Sequence, residues 1–166
     1  MNALNINRAA RRVTLLATLA GLTAVLGGCE RWALDRQMED LCKKDGGIKV
    51  YETVTLPASD FSNIGQPLAR YQQTAKSEEE LLGPDYRFVS KREILVGKDA
   101  KPERGEGRLD RVHSAIFRRA DNKLLGESVL YQRGGGDLFT LGFMPSGRNC
   151  PSPHADLAAS IFLKGV

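Results

Sequence analysis

The sequence predicts an α+β fold: a four- to five-stranded, mostly antiparallel sheet with an N-terminal and a C-terminal helix packed on one face. Three observations lead there. Residues 30–44 carry apolar side chains at helical spacing. Three later segments alternate with a period of two and lie close enough in sequence to pair antiparallel. A Pro-Ser-Pro break then precedes a second short helical stretch near the end.

The first helix is predicted over Glu30–Lys44. Leu34, Met38 and Leu41 form its apolar stripe, with Asp35, Arg36, Glu39, Asp40 and Lys43 on the other side. Glu30 near its start and Lys43-Lys44 near its end suit the helix dipole, and Gly46-Gly47 stops it. Ile48–Leu56 reads as one strand. Ile48, Val50, Val54 and Leu56 share one parity that Glu52 interrupts, and Pro57 ends it. Residues 57–76 read as a loop, and Ser77-Glu-Glu-Glu80 matches a helix-starting capping box closed by Leu81-Leu82-Gly83-Pro84. No second acidic cluster completes a metal site with that run.

Tyr86–Val96 is the next strand, with Tyr86, Phe88, Ile94 and Val96 on one face. A polar connector over 97–107 leads to a strand at Arg108–Arg119, with Val112 and Ile116 on one face and Ala115 and Phe117 on the other. Asp121-Asn122 supplies a turn into Leu124–Arg133. Gly134–Gly136 reads as a flexible break, Leu138–Phe143 as a last strand, and Ala155–Leu163 as the terminal helix.

The N-terminus reads as an address. Arg8, Arg11 and Arg12 precede the apolar run from Val13 to Leu26, and Gly27, Gly28 and Cys29 follow. A positive region, a short apolar region and small residues at a cut describe an export signal. Val13 to Gly28 is shorter than the about 20 residues a spanning helix needs and is interrupted by Thr and Gly. The flanks of Arg11-Arg12 suit the general secretory route rather than twin-arginine export. Leu26-Gly27-Gly28-Cys29 resembles the lipobox of bacterial lipoproteins. The resemblance covers residues 1–29. It implies cleavage before Cys29, a diacylglyceryl thioether on that cysteine and acylation of the new amine, enough lipid for stable membrane attachment. Glu30, rather than aspartate, after the cysteine implies the outer membrane, facing the periplasm, in a Gram-negative cell. Residues 45–54, Asp-Gly-Gly-Ile-Lys-Val-Tyr-Glu-Thr-Val, also resemble stretches of proteobacterial lipoproteins, and this likeness implies no activity.

The sequence thus divides into a signal, residues 1–28, and a single α+β domain, residues 29–166. The pI near 9.1 owes most to the signal. Three of the 24 basic residues lie in it and all 20 acidic residues lie after it, which leaves 21 basic against 20 acidic. A near-neutral domain has no general electrostatic pull on nucleic acid.

Of the three cysteines, lipidation would take Cys29, leaving Cys42 and Cys150 as a pair in an oxidising compartment. A structural disulfide is the expected outcome. A redox pair or metal site is the alternative, against which stand the lack of a Cys-x-x-Cys and the distance of both histidines in sequence.

No catalytic motif emerges. His113 or His154 with Asp110, Asp156 or Ser152 sketches a Ser-His-Asp set, but no nucleophile elbow or His-Glu-x-x-His supports it. Asp137 after the three glycines argues against a phosphate loop. No cofactor and no metal is expected. Arg108, Arg111, Arg118, Arg119 and Arg133, with Lys123 and Tyr131, fall on the predicted strands. They are a candidate surface for an anionic envelope component or acidic partner. The alternative is the solvated side of the sheet, paired to Glu93 and Glu127. Two functions follow: a non-enzymatic, lipid-anchored envelope protein that binds a partner or envelope component, or a small periplasmic enzyme or enzyme inhibitor.

Overall fold

The computed structural model describes residues 30–137, 146–152 and 156–165. Cys29, the lipobox, His154 and the strand expected at Leu138–Phe143 lie outside them. The α+β architecture is the expected one. Helix α1, residues 30–45, buries Leu34, Met38 and Cys42. It ends where Gly46 packs against Cys42. A Cβ at Gly46 would lie 2.6 Å from the Cys42 carbonyl oxygen and from its Sγ, so only glycine fits.

The main sheet has five strands. β1 (Gly47–Val50) pairs antiparallel with β5 (Lys123–Gly134), which pairs with β4 (Arg108–Arg118), which pairs with β3 (Tyr86–Val96). β6 (Gly147–Cys150) continues the edge that β1 begins. β1 covers Gly126–Val129 of β5, and β6 covers Tyr131–Gly134. The β4–β5 connection is the expected turn, with Asn122 left-handed at φ 54° and Asp121 Oδ1 accepting from the Lys123 amide.

Four expectations need correction. First, 48–56 is two strands rather than one. β2 (Val54–Leu56) leaves the main sheet and pairs in parallel with β7 (Phe162–Lys164). The chain bends where Glu52 breaks the alternation: the amides of Tyr51 and Glu52 both donate to the Leu125 carbonyl. Glu52 itself turns to Arg118 and Lys123. Second, the terminal helix α3 covers only Leu157–Ile161, capped by Asp156, whose carboxylate accepts from the amides of Ala158 and Ala159. Phe162 is then extended because its buried ring packs edge-on against Tyr86, centroids 4.7 Å apart. Third, the acidic run forms one 3-10 turn, Glu78–Glu80, without a side-chain cap at Ser77. Glu80 reaches past the expected position to the Lys76 amide. The loop before it holds a 3-10 turn at Ala58–Asp60 and a single α-helical turn, α2 (Ala69–Gln72).

Fourth, the helices occupy opposite faces. Paired residues of antiparallel strands share a face, and successive residues alternate. On one face Leu109, Val129 and Tyr131 pack with Leu34, Met38 and Cys42 of α1. On the other Ile116 and Leu125 pack with Leu157, Ile161 and Phe162, and with Leu56, Leu68 and Leu82. Gly126 lets α3 approach closely, since a Cβ there would meet Ile161 Cδ1 at 2.8 Å. β4 and β5 are apolar on both faces, so both must be covered.

The disulfide is present. Cys42 in α1 and Cys150 at the end of β6 are bonded, with Cα atoms 6.0 Å apart. Among the described residues no helix is long and apolar enough to cross a membrane.

Candidate functional site

The face of the sheet opposite α1 carries a half-open cavity of about 370 Å³. Its origin lies in three register rows. Phe88, Ile116 and Gly126 form one row, Ser90, Ser114 and Ser128 the next, and Arg92, Val112 and Leu130 the third. Ser114 and Ser128 of the middle row line the cavity between the larger Phe88 on one side and Val112 and Leu130 on the other, so the floor dips there, while Ser90 continues the row outside the lining. Pro67, Leu81 and Leu82 from the loop and Leu157 and Ala158 from α3 form the walls. Ser114 donates to Ser90 Oγ at 3.2 Å. Ser128 is buried and lines the cavity. Gln66 and Gln72 add polar groups at the walls, and the one charged lining residue, Asp156, is occupied in capping α3. A small volume, mostly apolar walls and a few polar groups are the usual make-up of a ligand site, at the low end of the about 300–1,000 Å³ range.

The structure does not bring the five sequence-predicted arginines onto one surface. Arg108 pairs with Asp110 at 2.8 Å. Arg111 lies on the α1 face and pairs with Asp45 at 2.8 Å. Arg118 pairs with Glu52 and Asp121 near the β4–β5 turn. Arg119 donates to the carbonyls of Tyr86 and Glu79. Arg133 is buried, its side chain 1% exposed, and pairs with Asp35. Strand alternation sends them to two faces, and acidic groups or carbonyls near each of them take up the guanidinium donors. The expected partners Glu93 and Glu127 hold none of these bonds: Glu93 is opposite Arg111 in register, yet Arg111 turns to Asp45.

A second polar group of residues sits on the α1 face. Asp45, the last residue of α1, accepts from the Tyr131 hydroxyl at 2.7 Å and from Arg111 at 2.8 Å. These bonds, Tyr131 first, hold its carboxyl below the usual range against the desolvation that opposes them. They also offset a negative charge at the wrong end of a helix dipole. Burial and then the bond to Asp45 push the Tyr131 phenol up. Next to this pair, Glu127 accepts from the Tyr51 hydroxyl at 2.6 Å and from His113 Nε2 at 2.8 Å. The same two bonds lower its pKa. The space between the two groups is only about 70 Å³, too small for a metabolite. We read this as a clasp between α1, β1 and the sheet.

The clasp predicts a pH dependence. A carboxylate with a depressed folded pKa contributes stability that is complete above its unfolded pKa and is lost as pH falls through the folded one. For Glu127 and Asp45 that loss begins as pH drops past their ordinary values, 4.5 and 3.8. The double variant Asp45→Asn/Glu127→Gln is expected to start less stable at neutral pH and to lose less on acidification. Acid melting curves that stay parallel to the native protein's would refute the clasp.

His113 cannot join Asp110 in a catalytic set. Asp110 lies on the opposite face and holds Arg108, while His113 holds Glu127. Asp156 is a helix cap, and Ser152 makes no described bond with either. Among the described residues no group of three or more His, Cys, Asp or Glu is placed to hold a metal.

Fold and cavity together define a small disulfide-closed α+β domain with a ligand-sized hollow on one sheet face. Compared with protein families, with curated proteins and with solved structures, the chain matches none at a significant level.

The sequence reading missed the serine row and Arg92. A signal was present: a polar serine between Val112 and Ile116, on the buried parity of a strand, is where a sheet core normally has bulk. Its alignment with Ser90 and Ser128 depends on register, which the turn and a bulge between Ile116 and Phe117 set.

Proposed function

We propose that this protein is a non-enzymatic, lipid-anchored envelope protein that binds an envelope component in the cavity on its sheet. In this reading it is exported, cleaved before Cys29 and held by lipid at the outer membrane, facing the periplasm. The observation that carries the binding part is the hollow over Ser114 and Ser128 beneath apolar walls. The Cys42–Cys150 bridge supports an oxidising compartment. The rival reading, an enzyme or an enzyme inhibitor, has less support. Among the described lining residues the candidate nucleophiles are Ser114 and Ser128, and no histidine or free carboxylate stands beside them to act as base.

Two measurements test the proposal. Native protein is expected to begin at Cys29 and to carry the added mass of the lipid, and Cys29→Ser is expected to lose that mass and to keep its signal. Native protein whose N-terminal peptide carries no lipid mass on Cys29 refutes the anchor. Mass spectrometry of the native protein, purified intact, is expected to find a co-purifying small molecule that is lost in Ser128→Leu, where the added side chain fills the hollow. Equal recovery from both proteins refutes binding in the cavity.

A further inference from the structure

We infer that the cavity and its rim form a site for a single-chain anionic amphiphile, the chain entering the hollow and a carboxylate or phosphate head meeting Arg92. This inference rests on the cavity-binding reading and names its ligand class. The hollow is small and mostly apolar, so it suits one chain rather than two.

The rim is set by register. Arg92 is paired with Val112, and Val112 is paired with Leu130. Both apolar residues line the cavity. The next row along the same face is Ile94, Asp110, Gln132 and Asn149, polar except for Ile94 on the edge strand. Arg92, Asp110, Gln132 and Asn149 line an open hollow of their own, which adjoins the apolar cavity on the same face about two residues or roughly 7 Å along the strand.

Charge selects the head. Arg92 is exposed. Its guanidinium spans β4 to donate to Gln132 Oε1 at 3.1 Å. Gln132 is neutral, and no carboxylate of the described residues lies within ion-pair distance of Arg92. A guanidinium has five donors in a planar fork suited to carboxylate and phosphate, so most of this one remains for a ligand. The other charges of the rim cancel, because Arg108 holds Asp110. Asp156 on the opposite wall is held by the amides of α3, and Arg92 is the cation of the rim without an ion pair among the described residues. This is where an anion site survives after the five predicted arginines have been spent on internal partners.

The tether points the same way. Glu30, which follows Cys29 directly, accepts from the Gly107 amide, and the Arg31 amide donates to the Gly136 carbonyl. Both contacts lie where β4 begins and β5 ends, the end of the sheet that also carries Arg92, Asp110 and Gln132. A lipid on Cys29 would hold this end against the bilayer, the source of anionic single-chain lipids.

The test uses residues 29–166 with Cys29→Ser, free of both the lipid and the apolar signal so that no detergent is needed, and calorimetric titration with dodecanoate, dodecyl phosphate and dodecanol. The expected result is that all three bind and that the two anions bind about tenfold tighter than the alcohol. Arg92→Gln is expected to remove that preference and leave dodecanol unchanged. Ser128→Leu, with folding checked by its melting curve, is expected to abolish all three, while Ser128→Ala keeps them. The comparison of dodecanoate with dodecyl phosphate separates a free fatty acid from a phosphate-headed lipid. If all three bind alike and Arg92→Gln changes nothing, the head-group site is overturned and cavity binding stands. If none binds, the amphiphile site is overturned, and loss of the co-purifying molecule in Ser128→Leu still judges the cavity reading separately.

Discussion

Removing the Cys42–Cys150 bridge is expected to cost about 2–5 kcal/mol and to lower the melting temperature on the order of 10 °C. The bridge spans 108 residues of sequence. Without it the unfolded chain regains the freedom that so long a closure removes, and the loop-entropy model sets about 4.7 kcal/mol for a loop near that length. The bond joins α1 to β6, which otherwise meets the sheet through a four-residue pairing with β5. Cys42→Ala and Cys150→Ala should each cost nearly the whole amount, and the double variant should cost little more, because both remove one cross-link. The comparison is made by thermal melts with and without reductant. A native protein whose melting is indifferent to reductant, with both thiols then titratable, would show that packing of Leu34 and Met38 suffices to hold α1.

Arg133→Met is expected to destabilise by about 3–5 kcal/mol, the usual result of breaking a buried ion pair from one side. Arg133 Nε donates to Asp35 Oδ1 at 2.8 Å, and Nη1 donates to the carbonyls of Gly135 and Ser146 and to Ser146 Oγ. The guanidinium thus joins α1, the end of β5 and the approach to β6. Its loss strands the Asp35 carboxylate, with Arg148 3.8 Å away as the remaining cation, and takes a donor from the Gly135 carbonyl, while the Ser146 carbonyl keeps the Gly135 amide. Asp35→Leu/Arg133→Met removes both charges and should recover much of the loss. Urea melts of the two single variants and the double variant decide it. Strictly additive losses would mean that the pair contributes no coupling and that the cost is packing alone.

Both predictions concern the attachment of α1, and they differ in how readable they were. The bridge could be inferred from a count, since one cysteine belongs to the lipobox and two remain. The Arg133 node could not. In sequence Arg133 is one of several basic residues on an alternating strand, with the same expected place on a solvated face as Arg108 or Arg111. What buries it is its position in register: it lies on the face that α1 covers, where Asp35 of the apolar-striped helix descends to meet it. The same distinction separates the two readings of anion binding. The arginines that stand out by number are consumed internally. Arg92 stands out only once its neighbours are known to be Gln132 and the hollow.

By itself the sequence determined the α+β class, the long strands β3, β4 and β5, the Asp121-Asn122 turn, the apolar stripe of α1 and the near-neutral charge after Cys29. These follow from spacings of two to four residues and from local turn chemistry, which the chain carries wherever it folds. Tertiary structure alone decided that residues 48–56 divide between two sheets, that α1 and α3 cover opposite faces, that β7 pairs with β2 across more than a hundred residues, and that Ser114 and Ser128 align into a cavity floor. Those outcomes depend on which distant segments compete for the same edge or face. Local periodicity says which side of a strand is apolar, and only the packing of the whole chain says what will cover it.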